Sequence, residues 1–273
     1  MKPILVLLHG ANGCAAEMGP LARPLARHFD IRAADLLGHG GRPVPDGISI
    51  EAMAHDLVGW LGGEGIGSAY VLGYSVGAYL GLYLARHHPG RVRGVITLSP
   101  KHVFDERTVA HITHLADPAR LSRPGNPRKA ELEAAHGADK WVDVTNNVTA
   151  LFRALGEKAP LSEEDLRAIA TPALLAFGDL DPLVPLAEAK QLGALLPNAR
   201  LALFPGPAHP LRNVPIPSLA HSVIRFAREV ESRAFAPGPT ALIGEMLVSG
   251  GMAQGPSLKM SETVSRLGPR HSP

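Results

Sequence analysis

Ser75 is the residue of this sequence whose surroundings most clearly indicate chemistry. It lies in a Gly-Tyr-Ser-Val-Gly segment at 73–77, between an apolar run at 70–72 and a helix-forming stretch. This order predicts a nucleophile elbow, a sharp strand-to-helix turn that exposes the serine Oγ. Glycine is needed on both sides, because a Cβ two residues before or after the serine would collide with neighbouring backbone. A glycine turn in any α/β protein produces the same pattern, so other residues have to support the interpretation.

A serine hydroxyl needs a base, and the base needs a carboxylate that holds its tautomer. His209 is the best-placed of the 13 histidines, since it follows the last core strand on a loop rich in Pro and Gly. Asp179 and Asp181 both follow the preceding strand, and either could supply the carboxylate. The sequence therefore predicts a Ser-Asp-His triad in that chain order.

Strands and helices alternate on both sides of this serine. Buried strands are predicted at 4–8, 29–34, 70–72, 92–98, 173–177 and 200–204, and helices at 15–28, 49–61, 76–88, 186–196 and 216–233. Such alternation predicts an α/β fold with a doubly wound, mostly parallel sheet. Active sites of these sheets lie at the carboxyl ends of the strands, which is where the candidate triad residues fall.

The chain divides into three regions. Residues 1–100 and 171–235 carry the alternating core pattern, whereas 101–170 lacks strand signals. We expect a helical lid insertion there, with helices at 106–115, 128–136, 141–155 and 162–169. Gly, Pro and Ser dominate 236–273, which predicts a mostly disordered tail.

Five landmarks in register resemble the α/β-hydrolase superfamily, in its serine hydrolase or esterase-like branch. They are His9-Gly10, the loop 35–40, the Ser75 elbow, the segment 178–185 and His209, and they span residues 1 to about 233. The resemblance favours Asp181 over Asp179, because the family acid usually ends a Gly-x-x-Asp motif. It also implies an oxyanion hole made by the backbone N–H groups of Ala11 and Val76, with structural roles for His9 and His39.

The sequence departs from the family pattern at its start, where the usual first antiparallel hairpin is missing. A six-strand sheet would then have an exposed edge that needs protection or a partner. We therefore expect that a homo-oligomer could form through this edge or through the tail.

The resemblance implies a serine hydrolase that needs no cofactor and cleaves a small carboxylic ester or thioester through an acyl-serine. The single cysteine and the lack of a membrane-spanning stretch predict a cytoplasmic protein. One alternative is a carbon–carbon bond hydrolase or lyase that uses the same triad on a dicarbonyl-like acid. Another is a non-catalytic ligand-binding or scaffold protein, against which the intact triad argues.

Composition excludes several other classes. The net charge is only +2 with scattered Lys and Arg, which does not indicate nucleic-acid binding. No stretch approaches the roughly 20 apolar residues of a membrane span. Cys14, the single cysteine, fits a reducing compartment. His111, His114 and His136 lack the further ligands of a metal site, so no metal is expected.

A few residues of the insertion have two interpretations. Arg120, Arg123, Arg128 and Lys129 form either a solvated basic loop or a contact for an acidic substrate. Trp141 and Phe152 could line an acyl pocket, but aromatic residues at helical spacing more often belong to a hydrophobic core. Lys101 and His102 follow a strand where they could border the pocket.

Overall fold

The computed structural model describes residues 1–206 and 209–242. Seven strands form one sheet: β1 (Ile4–Leu8), β2 (Asp30–Ala34), β3 (Ala69–Tyr74), β4 (Val92–Leu98), β5 (Ala173–Gly178), β6 (Ala199–Phe204) and β7 (Gly238–Leu242). Their order is β2-β1-β3-β4-β5-β6-β7, and every neighbouring pair is parallel. The predicted doubly wound parallel sheet is confirmed, and the described residues contain no antiparallel hairpin before β1.

Helices cover both faces of the sheet. They are α1 (Gly19–Leu25), α2 (Ile50–Gly63), α3 (Val76–His87), α9 (Leu186–Leu195) and α10 (Ile216–Glu231). Leu21 of α1 and Phe226 of α10 belong to one buried core, and Leu57, Leu80 and Leu192 of the other helices belong to the core on the opposite face. The strands β1, β3, β4, β5 and β6 are mostly buried, which explains their largely apolar sequences, whereas the edge strand β2 is only partly buried.

Local sequence explains the bounds of two of these helices. The Ser49 hydroxyl accepts a hydrogen bond from the Ala52 N–H at 3.1 Å, so Ser49 caps α2 as expected. The helix predicted over 15–28 is shorter: a 3₁₀ turn occupies Ala15–Met18, and α1 ends at Leu25. Pro20 and Pro24 account for the difference, since neither can donate a backbone hydrogen bond to the preceding turn.

Between β4 and β5 the chain forms a helical insertion. Its helices are α4 (Glu106–Leu115), α5 (Pro118–Leu121), α6 (Pro127–His136), α7 (Trp141–Glu157) and α8 (Glu163–Arg167). Four of them were predicted, and the short α5 was not. The helices α4 and α7 approach closely, because a Cβ on Gly156 would lie only 2.7 Å from Cγ2 of Val109.

The structure corrects the prediction for the far edge of the sheet. Residues 238–242, assigned to a disordered tail, form β7 and pair with β6 in the register Ala202↔Ala241 and Leu203↔Leu242. The edge of β6 is thus covered by the chain itself, so that a seventh strand joins the six expected ones, and β2 forms the opposite edge. The rest of the predicted tail, 243–273, lies outside the described residues. In the part of the chain that the structure describes, no helix is long and apolar enough to cross a membrane.

Candidate active site

Ser75 sits in strained backbone between β3 and α3. Its φ of 53° and ψ of −117° are rare for a residue with a side chain, and such strain costs about 1–3 kcal/mol. A Cβ on Gly73 would lie 2.1 Å from the Gly77 carbonyl oxygen, and one on Gly77 would lie 2.4 Å from the His9 carbonyl oxygen. Both glycines are therefore sterically required, and the elbow has the predicted geometry.

The loop after β1 lies directly against this elbow. A Cβ on Gly10 would lie 2.9 Å from the Tyr74 ring and 3.3 Å from Cβ of Ser75. Ala11 and Val76 line the same cavity as Ser75. Among the described residues, neither the Ala11 N–H nor the Val76 N–H donates to a backbone or side-chain acceptor. Two unpaired donors and the positive end of α3 thus lie beside the serine, as an oxyanion would require.

His209 and Asp181 form a hydrogen-bonded pair. The Nδ1 of His209 lies 2.6 Å from Oδ2 of Asp181, whose side chain is fully buried. The other carboxylate oxygen accepts from the N–H groups of Leu183 at 2.9 Å and Val184 at 3.0 Å. Burial acts to raise the pKa of Asp181, but these hydrogen bonds and the His209 ring outweigh it and lower the pKa. Asp181 therefore stays ionised and fixes the orientation of the imidazole.

The second ring nitrogen of His209 is available for chemistry. Nε2 is buried and has no hydrogen-bond partner among the residues the structure describes. The His209 ring stands 5.3 Å from the ring of Tyr74, measured between centroids, and Tyr74 directly precedes Ser75. A histidine with Nδ1 held by a carboxylate and Nε2 unpaired thus lies beside the elbow.

Asp179, the other acid candidate, makes a different contact. Its Oδ1 accepts a hydrogen bond of 2.7 Å from the Gly206 N–H, which ties the end of β5 to the loop after β6. Asp179 is exposed, whereas Asp181 is buried against His209. The structure brings His209 together with Asp181, the acid that the resemblance favours.

Ser75 opens into a small, mostly apolar cavity of about 100 Å³. Helices α4 and α7 form part of its wall through Ile112 and Phe152. Leu115, at the end of α4, also lines the cavity and is 44% exposed, so it marks the side open to solvent. Phe152 is both buried and part of the lining, whereas Trp141 belongs to a separate cluster with Leu121 and Leu132. The remaining lining residues are Tyr79, Lys101, Phe104 and Leu183.

Comparison with known proteins supports the fold. A family model described as the alpha/beta hydrolase fold matches residues 3–136. A pimeloyl-[acyl-carrier protein] methyl ester esterase of Aromatoleum aromaticum is 29% identical over 233 residues, covering 76% of this chain and 91% of that protein. The chain has the α/β-hydrolase fold and resembles members of that superfamily. Solved structures of similar fold include NosK from Streptomyces actuosus, at a TM-score of 0.71 and 22% identity over 85% of this hydrolase and 100% of that chain. Another is the enol-lactonase from Burkholderia xenovorans LB400, at a TM-score of 0.64 and 21% identity over 84% of this chain and 92% of that chain.

This hydrolase places three histidines in a row behind the loop that follows β1. His9 and His39 have ring centroids 5.1 Å apart, and His39 and His136 are 5.8 Å apart. The Nδ1–H of His9 donates to the Gly10 carbonyl at 2.8 Å, and its Nε2 accepts from the Leu36 N–H at 3.0 Å. Burial lowers the pKa of His9 to about 4 and that of His39 to about 3. Both rings are neutral structural elements, as the resemblance implies.

His136 connects the insertion to this loop, a role that the sequence did not reveal. Its Nδ1 accepts from the Gly40 N–H at 3.1 Å, and its Nε2–H donates to the Asn12 carbonyl at 3.2 Å. One side chain of α6 thus fixes two core loops far from it in sequence. No local pattern marks such a residue, because its partners are distant along the chain.

Lys101 and Glu188 form a buried ion pair at the cavity wall. Lys101 follows β4 and Glu188 lies on α9, and their side chains are 8% and 7% exposed. Glu188 is a further residue of this region that the sequence did not indicate, since it looks like any helix glutamate. Lys101 was named as a possible border of the pocket and does line it.

The other candidate ligands stay apart from the site. His111 and His114 are exposed on α4. Within the described ranges, no group of three or more His, Cys, Asp or Glu residues could hold a metal ion. In the basic cluster, Arg128 and Lys129 pair with Glu131 and Glu133 on their own helix, which favours the solvated interpretation for these two.

Proposed function

We propose that this hydrolase cleaves a small carboxylic ester or thioester through an acyl-serine intermediate. Ser75 is the nucleophile, His209 the general base and acid, and Asp181 the residue that orients His209. The N–H groups of Ala11 and Val76 bind the oxyanion. The helices of the 101–170 insertion act as the lid.

In the acylation half, Ser75 Oγ attacks the carbonyl carbon while its proton moves to Nε2 of His209. The negative charge on the carbonyl oxygen is stabilised by the two N–H groups, which are fixed before the charge develops. The bond to the alcohol or thiol then breaks, and the leaving group takes the proton from His209. In the second half, water gives its proton to His209 and attacks the acyl-serine, which releases the acid and restores the Ser75 hydroxyl.

The observation that carries the proposal is the unpaired, buried Nε2 of a histidine whose Nδ1 is 2.6 Å from Asp181, beside the elbow of Ser75. A histidine that served packing alone would have little reason to leave this nitrogen without a donor or acceptor. The esterase name of the relative from Aromatoleum aromaticum supports an ester as the substrate class.

The cavity supports a short acyl group. Its volume of about 100 Å³ is well below the ~300–1,000 Å³ of typical ligand pockets. Phe104, Ile112 and Phe152 give it apolar walls that fit a hydrocarbon chain. Leu115 marks an opening through which a larger leaving group could remain in solvent.

The test is a kinetic series of p-nitrophenyl acetate, butyrate and octanoate, with butyryl-coenzyme A as the thioester. We expect kcat/KM to be highest for the acetate or butyrate and to fall for the octanoate. Ser75→Ala should abolish turnover, with a loss of about 10³-fold or more. Equal activity in Ser75→Ala would contradict the mechanism. Turnover confined to a 1,3-dicarbonyl acid would favour the carbon–carbon hydrolase instead.

A further inference from the structure

Among the described residues that line the cavity next to Ser75, Lys101 is the one with a charged side chain. We propose that its ammonium binds a neutral oxygen acceptor on the acyl chain of the substrate, such as a ketone, hydroxyl or ether oxygen. Lys101 would thereby select oxygenated acyl groups over plain hydrocarbon chains. This inference rests on the proposed ester hydrolysis and specifies the substrate class of the same site.

The number of donors on Lys101 exceeds the number of its acceptors. A lysine ammonium carries three N–H donors. In the described part of the chain, its single acceptor is Oε2 of Glu188. The other cavity walls are mostly aromatic and aliphatic, as at Phe104, Ile112 and Phe152. A buried donor without an acceptor is unfavourable, and an oxygen on the substrate would remove that cost.

Glu188 determines that the substrate group bound by Lys101 is neutral and not a carboxylate. Its Oε1 accepts from the N–H groups of His102 at 3.0 Å and Val103 at 3.1 Å, while Oε2 takes the Lys101 ammonium. Burial acts to raise the pKa of Glu188, but the neighbouring His102 ring, Lys101 and the backbone donor outweigh it and lower the pKa. The carboxylate thus stays ionised and neutralises Lys101. A substrate carboxylate at this place would meet the negative charge of Glu188, whereas a neutral oxygen would not.

A purely structural role for Lys101 makes a different prediction. In that case Lys101 would only neutralise a carboxylate that holds the backbone at 102–103, and its loss would affect every substrate alike. Buried ion pairs can often be replaced by apolar residues without loss of stability, so stability alone does not separate the two roles. The ratio of two matched substrates does.

The matched substrates are methyl 4-oxopentanoate with methyl pentanoate, and methyl 5-oxohexanoate with methyl hexanoate, followed by acid release in a pH-stat. In wild type we expect kcat/KM for at least one oxo ester to exceed that of its partner by about tenfold or more. In Lys101→Met, which keeps an unbranched side chain one atom shorter, that ratio should fall to about 1. A wild-type ratio near one for both pairs, or an equal loss on both esters in Lys101→Met, would overturn the proposal.

Glu188→Gln gives a second readout that does not depend on how well Lys101→Met folds. The amide oxygen can still accept from the His102 and Val103 N–H groups, but Lys101 loses its counter-charge. Monomethyl glutarate, which carries a free carboxylate, should then improve as a substrate by about tenfold relative to methyl pentanoate. An unchanged ratio would contradict the assigned role of the pair. Hydrolysis of the plain esters by wild type tests the proposed function separately. A failure of the proposed ester hydrolysis is therefore distinguishable from a failure of the proposed role of Lys101.

Discussion

Acid should destabilise this hydrolase beyond what its carboxylates require, because His9 and His39 are buried as neutral rings. Burial lowers their pKa values to about 4 and about 3, whereas an unfolded histidine titrates near 6.5. Below about pH 6.5 the unfolded state therefore binds more protons, and stability falls as the pH falls towards the folded pKa values. Between pH 7.5 and pH 5 each histidine removes about 2 kcal/mol from the free energy of unfolding, or about 4 kcal/mol together.

Urea unfolding of wild type and His39→Gln at both pH values measures this contribution. Glutamine does not titrate, and its amide can donate to the Leu37 carbonyl as the His39 Nδ1–H does at 3.0 Å. Between pH 7.5 and pH 5, wild type should lose about 2 kcal/mol more free energy of unfolding than the variant. The effects of unrelated groups cancel in this difference. Equal losses in the two proteins, with unchanged dependence on urea, would refute the assignment of a buried neutral His39.

Two further pairs of substitutions test the elbow and the acid. Gly77→Ala places a Cβ 2.4 Å from the His9 carbonyl oxygen and should lower kcat/KM at least ~100-fold. The control Gly81→Ala, whose Cβ would meet only Val side chains at 3.2–3.4 Å, should leave kcat/KM near the wild-type value. Equal effects of the two substitutions would contradict the steric account. Asp181→Asn should lower kcat by about 10³–10⁴-fold, while Asp179→Asn, which keeps an acceptor for the Gly206 N–H, should change it little. A larger loss in Asp179→Asn would reverse the assignment of the acid.

Much of the sheet was predictable because its signals are local. Strands such as Ile4–Leu8 are continuous apolar runs, and Ser49 marks the start of α2 by its own side chain. The elbow was predictable for the same reason, since its steric demands fall within five consecutive residues. The strand β7 was missed because its composition is rich in breakers and only pairing with β6 makes it a strand.

The contacts that organise the site join residues far apart in sequence, and they were harder to predict than the sheet. His136 reaches Asn12 and Gly40 across the insertion, and Glu188 meets Lys101 from another helix. Neither residue stands in a recognisable motif. The choice between Asp179 and Asp181 depended on a two-residue shift along one loop, which directs one carboxylate to His209 and the other to the Gly206 N–H.

The central claim is that Ser75 is an activated nucleophile. It is tested most directly by labelling the purified protein with a fluorophosphonate and measuring the intact mass of wild type, Ser75→Ala and Ser99→Ala. Ser99 is a suitable control because it is a buried serine at the end of the adjacent strand β4. We predict one adduct per chain in wild type and Ser99→Ala, and none in Ser75→Ala. Folded wild type that gains no adduct, or an adduct that persists in Ser75→Ala, would contradict the account.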